Sequence, residues 1–213
     1  VYTGGVIVPI LITLSIMVVT FVVERALSLR KAQGRGSLAT FLKNVHRSLA
    51  TADIDAAVAA CDQQRGSMAN IIKAGLERYQ NITRDSKNLE PEKQMAGVQG
   101  AIEEATALEM PILEKNLIAM STIASIATMF GLLGTVIGMI RAFRALAAQG
   151  GAPDAIQLSI GISEALINTA LGLFAAIVGI VAYNFFVNKV DNFTYMIDEA
   201  SYDVVQTLTT RAK

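Results

Sequence analysis

Three stretches of the chain carry no charged residue: 1–23, 116–140 and 165–188. Each is long enough to cross hydrocarbon as a helix, which takes about 20 residues at about 1.5 Å apiece. The 92 residues between the first two runs (24–115) are polar and show helical periodicity. Gly34-Arg35-Gly36 breaks the segment leaving the first run, and Ser37 can cap a helix with Leu38, Phe41, Leu42 and Val45 on one face. A second helix starts at Ala52 or Asp53, carries Ile54, Ala57, Val58 and Cys61, and ends at Gly66. Met68, Ile71, Ile72 and Leu76 mark a third, and residues 81–91 read as a polar turn. From Glu92 a long helical pattern with Val98, Ile102, Ala105 and Leu108 runs towards the second span, with Pro111 as a kink or restart. No segment reads as a strand.

The expected fold is therefore an all-α integral membrane protein. Three transmembrane helices extend into a cytoplasmic helical bundle, and the assembly is a homo-oligomer around a central pore. The layout is helix 1 at 1–23 with its amino end periplasmic and a cytoplasmic helical region at 24–115. Helix 2 follows at 116–140, then a short periplasmic loop and the start of helix 3 at 141–163, helix 3 at 164–188, and a cytoplasmic C-terminal helix at 189–213. Mean hydropathy of +0.46 with 17% charged residues fits this division between membrane and water. Of 18 Lys and Arg, 13 lie in 24–115, three follow the last span, and only Arg141 and Arg144 separate spans two and three. Cationic loops stay in the cytoplasm, which sets the orientation. Residues 1–23 lack a basic start and a small-residue cleavage site, so they read as a retained anchor.

Candidate chemistry is sparse. Zero net charge argues against nucleic acid. His46 lies on the polar side of its helix and reads as a solvated residue, and Cys61 stands alone. No nucleophile elbow, Walker loop or zinc helix is present, so neither an enzyme nor a bound metal or cofactor is expected. Two helical stripes stand out instead. Ser121, Ser125, Thr128 and Thr135 fall within an arc of roughly 80°, with Gly131 and Gly138 beside it. In the third span Gly161, Glu164, Asn168, Gly172, Ala175 and Gly179 share another arc, with Thr169 at its edge. Small residues allow close helix approach, as in Gly134-x-x-x-Gly138, and suggest packing between copies of the chain. Hydroxyls and amides can instead hold water. Glu164, at the mouth of a span, marks a pathway or an ion pair, with Arg141 or Arg144 as partner.

Ile123-Ala124 followed by Gly131-Leu132-Leu133-Gly134-Thr135-Val136-Ile137-Gly138-Met139-Ile140 resembles the second span of the ExbB/TolQ proton-channel family, relatives of the flagellar stator protein MotA. Gly161-Ile162-Ser163-Glu164-Ala165-Leu166-Ile167-Asn168-Thr169-Ala170-Leu171-Gly172-Leu173, ending in Ala182-Tyr183-Asn184, resembles its third. The resemblance implies a bacterial inner-membrane pentamer around a dimer of a one-span ExbD- or TolR-like partner, acting on a TonB- or TolA-like protein and embedded in membrane lipids. It implies that proton-motive force powers TonB-dependent outer-membrane transport, or envelope maintenance in the TolQ-like version. Thr135, Thr169 and Glu164 match the family's pore-facing positions. Asn168 and Thr128 join them by arc, while Gly131, Gly134, Gly138, Gly172 and Gly179 are expected in helix packing. The family often has Pro where this chain has Thr128 and Val178, so its pore geometry does not transfer unchanged. No carboxylate lies deep in a span, so a proton relay needs one from the partner. The rival readings are a non-conducting scaffold, a solute carrier (disfavoured by the lack of repeated halves) and a membrane enzyme.

Overall fold

The computed structural model describes residues 5–85, 90–147 and 155–212. Seven helices account for nearly all of them: α1 (Ile7–Ala32), α2 (Leu38–Ala50), α3 (Ile54–Gln64), α4 (Ser67–Asp85), α5 (Pro91–Glu114), α6 (Leu117–Ala147) and α7 (Ala155–Ala212). No strand occurs among the described residues. Three segments, 7–32, 91–147 and 155–210, are long and apolar enough to cross a membrane. The chain folds as two compact units.

The first unit, Val1–Arg25 with Asn116–Val187, holds the three uncharged runs. Here α6 and α7 meet along small residues, with Met120, Ala124, Ala127, Gly131, Gly134, Gly138 and Ala142 of α6 buried. In α1, Ile7, Val8, Leu11 and Val18 are buried, and Val18 approaches Gly179 of α7. The outward residues remain apolar: Ile16 is 61% exposed, Leu132 56% and Phe174 64%. Such a surface suits lipid or neighbouring protein rather than water.

The second unit, Ala26–Lys115 with Asn188–Lys213, is an ordinary polar-surfaced helical core. Asp53 caps α3 by accepting from the Ala56 N–H at 2.8 Å. α2 packs on α3, α3 on α4 and α4 on α5. Gly75 lets the Ile102 side chain lie directly on α4. Phe193, Ile197, Val204 and Leu208 form the buried face of the end of α7. His46 stands 3.5 Å from Asp203, so this residue, expected to be merely solvated, has an acidic neighbour on α7. Ser37 takes the cap position of α2 without a side-chain hydrogen bond.

Helix α1 runs nine residues beyond the expected span at 1–23, as far as the expected break at Gly34-Arg35-Gly36. The polar stretch from 81 keeps α4 going to Asp85, since Asn-Ile-Thr-Arg-Asp contains no helix breaker; residues 86–89 lie outside the described part. Pro111 lies inside α5 and does not end it. The restart falls at Asn116, whose φ of 63° places it in the left-handed region that Asn tolerates better than most residues. Residues 141–147 extend α6 and 155–163 open α7, so both flanks of the expected outer loop are helical.

The candidate proton-pathway helices

The seam between α6 and α7 is built by missing side chains. A Cβ on Gly172 would fall 2.7 Å from the Ala127 carbonyl oxygen and 2.8 Å from the Gly131 Cα. On Gly138 it would fall 2.8 Å from the Gly161 oxygen, and on Gly179 2.8 Å from the Ala124 Cβ. Gly134 leaves the notch that the Asn168 side chain fills. The glycines expected to serve packing thus meet one another within a single chain. This face of α6 is covered by α7.

The seam also contains polar groups. Glu164 Oε1 accepts from Arg141 Nη1 at 2.6 Å, with Glu164 buried and the Arg141 side chain half exposed. Of the two arginines considered as partners, the structure brings Arg141 to the carboxylate. Gly5, with φ of 67°, closes over the pair, where any side chain would collide with Glu164. One turn further along α7, Asn168 is 1% exposed and its Oδ1 has no hydrogen-bond donor among the described residues. An unsatisfied buried amide oxygen costs about 1–3 kcal/mol.

The hydroxyl strip lies elsewhere. Thr135 turns towards the open side of α6 and donates to the Leu132 oxygen at 2.6 Å, while part-buried Thr128 donates to the Ala124 oxygen at 3.2 Å. Thr135 sits there among Val136, Met139, Ile140 and Phe143, with Arg144 at the end of the row. Thr169 straddles the two sides: its Oγ1 lies 3.3 Å from the Ala165 oxygen and 3.5 Å from the Gly131 oxygen across the seam. The candidate set therefore divides. Glu164 and Asn168 are interior to the chain, Thr135 lines the open side of α6, and Thr128 and Thr169 are part-buried.

Sequence reasoning missed one charged cluster. Arg25, counted there only among the 13 basic residues of 24–115, is 1% exposed. Its Nε and Nη2 each donate to a Glu24 oxygen at 2.9 Å, and Asn116 Nδ2 donates to Glu24 Oε2 at 3.2 Å. The neighbouring Glu24-Arg25 at a span end and the Asn beginning the next span were the available signal.

Residues 63–199 match the MotA/TolQ/ExbB proton channel family, and the chain belongs to that family. It is a membrane protein of the proton-channel class. It is 40% identical over 116 residues to the Tol-Pal system protein TolQ of Pseudomonas aeruginosa, covering 54% of this chain and 49% of that protein. It is 42% identical over 95 residues to the TolQ of Haemophilus influenzae, covering 44% of this chain and 41% of that protein. The biopolymer transport protein ExbB of Aquifex aeolicus is 34% identical over 119 residues, covering 56% of this chain and 71% of that protein. The matched region spans about half the length of the TolQ relatives.

Proposed function

We propose that this chain is a proton-conducting motor subunit of a bacterial inner-membrane complex, ExbB-like, forming a homopentamer around a dimer of a one-span ExbD- or TolR-like protein. Proton-motive force is coupled there to movement of a TonB-like protein that drives outer-membrane transport. The observation that carries this reading is the family match across α6 and α7, whose apolar stretches hold one carboxylate among the described residues, Glu164, paired with Arg141. A proton crossing hydrocarbon needs a group that loads and unloads near the midplane, and this chain offers hydroxyls there instead. The housing role follows, with the titratable carboxylate supplied by the partner helix and Thr128, Thr135 and Thr169 facing it.

A TolQ-like role in envelope maintenance is the second reading, favoured by the two TolQ-named relatives at 40% and 42% identity. Complementation separates them: rescue of iron-siderophore uptake in an ExbB/TolQ-deficient strain marks the first, and rescue of detergent resistance alone marks the second. The test of conduction is proton flux in liposomes holding this chain with its one-span partner. Flux no greater than in protein-free vesicles would leave only the scaffold reading. Native mass spectrometry in mild detergents should find five copies, and a persistent monomer would count against the pore.

A further inference from the structure

Two glycine corners of the second unit lock together just beyond the first span. The α1–α2 corner has Gly34 at φ 78°, and the α3–α4 corner has Arg65 at φ 55° and Gly66 at φ 92°. Arg35 N–H donates to the Gln64 carbonyl at 2.6 Å, and Gln64 Nε2 donates to the Gln33 carbonyl at 3.1 Å. A Cβ on Gly66 would fall 2.7 Å from the Gly34 nitrogen, so the corners touch backbone to backbone. This junction helps line an open cleft of about 560 Å³, whose walls include the exposed Lys31, Arg35 and Arg65 from three different segments. None of the three has a carboxylate within ion-pair distance among the described residues. Ser28, Ser67 and Asn70 also line it, and Glu109, which accepts from Asn70 Nδ2 at 2.7 Å, is its one acidic wall.

We infer that this cavity binds the phosphodiester headgroup of an anionic phospholipid in the leaflet through which α1 leaves the membrane. Three cations against one carboxylate leave the cavity net positive and suited to an anion, and its volume is within the size range of small-molecule sites. Lys31 lies eight residues beyond Val23 on the same helix, about 12 Å further along its axis. A flexible lysine stem recovers roughly half that distance, which brings its ammonium to the headgroup layer. Glu109 and Asn70 suit a headgroup that carries hydroxyls as well as phosphate, such as phosphoglycerol. Ordinary juxtamembrane lysines need no such junction, whereas here two glycine corners hold two arginines around one space. The inference rests on the membrane reading alone, so proton flux can fail while the lipid site stands.

Cys61 provides the readout, being the chain's single cysteine and buried in α3, three residues before the junction begins at Gln64. A maleimide dye that fluoresces on reaching Cys61 reports melting of the full-length protein in neutral detergent. Added phosphatidylglycerol should raise the melting temperature, and phosphatidylcholine should not. Arg35→Gln with Arg65→Asn should weaken the apparent lipid affinity about thirtyfold, near fivefold per cation removed. Asn at 65 meets the same backbone demand that Arg65 already meets at φ 55° and ψ 174°, and melting without lipid verifies that the variant folds. Lys43→Gln with Arg47→Gln, which removes two cations outside the cavity, should leave the lipid shift intact. If that control loses the shift equally, or phosphatidylcholine matches phosphatidylglycerol, the site is overturned. If inorganic phosphate or glycerol phosphate alone reproduces the shift at equal concentration, the lipid assignment is overturned in favour of a soluble anion.

Discussion

Neutralising the two members of the Arg141–Glu164 pair should have unequal effects, because their surroundings are unequal. Glu164 is about nine-tenths buried as a side chain, whereas Arg141 is half exposed, and 2.6 Å separates their atoms. Arg141→Gln leaves a buried carboxylate without its counter-charge. Breaking a fully buried pair costs about 3–5 kcal/mol, and the exposure of Arg141 brings the expected loss down to about 2–3 kcal/mol. Glu164→Gln leaves a guanidinium that can turn to water, while the new amide keeps the size and much of the hydrogen bonding of the acid. Its expected cost is under about 1 kcal/mol. The double variant should recover most of what Arg141→Gln loses, giving a coupling of at least about 1 kcal/mol. The measurement is thermal unfolding of the reconstituted protein for both single variants and the double, with Arg144→Gln as a control expected to be near neutral. Equal losses from the two single variants, or an effect of Arg144→Gln as large as that of Arg141→Gln, would refute this geometry. Proton-driven activity adds a separate readout. Glu164→Gln should lower it beyond any loss of stability, and full activity would reduce the carboxylate to a strut between α6 and α7.

Thr135→Val and Thr169→Val should each cut proton-driven activity with near-normal assembly, since the swap keeps shape and removes only the hydroxyl; full transport by the double variant would favour the scaffold. Gly172→Leu should destabilise by about 1–3 kcal/mol, because the new atoms fall on the Ala127 and Gly131 backbone rather than on a movable side chain. By contrast, Gly100→Ala, on α5 with nothing within 4 Å of the added methyl, should raise stability by about 0.5–1 kcal/mol; thermal unfolding of both variants checks the pair. For topology, a cysteine at exposed Ala155 should react with an impermeant thiol reagent on intact spheroplasts, while one at exposed Ala39 should react only after permeabilisation. The reverse pattern would invert the chain. Native Cys61 cannot serve as the inside marker: burial and then Asp62 push its thiol up to about 12, so it stays silent from either side.

The membrane character was legible in residue types alone, because hydrocarbon imposes one simple demand: a long uncharged helix whose backbone bonds are internal. The 116–140 and 165–188 runs needed no neighbours to declare themselves, and Asp53, Gly34 and Gly66 announced their corners through capping and left-handed backbone. Charge marks where a span ends and not where a helix ends: past the polar change near 188, α7 runs on to Ala212 in the expected C-terminal helix, as no Gly or Pro follows Gly179 to stop it. A helical arc likewise says which residues share a face, but not what that face meets. On α6 the glycines and the threonines occupy neighbouring arcs, and only the packing of α7 decided that glycines close the seam while Thr135 stays open. The same packing put Asn168 into the Gly134 notch, Arg141 rather than Arg144 on Glu164, and Gly5 above that pair. Those choices depend on contacts between residues far apart in the chain, where a few tenths of an ångström of backbone approach select the partner, and no local pattern encodes that distance.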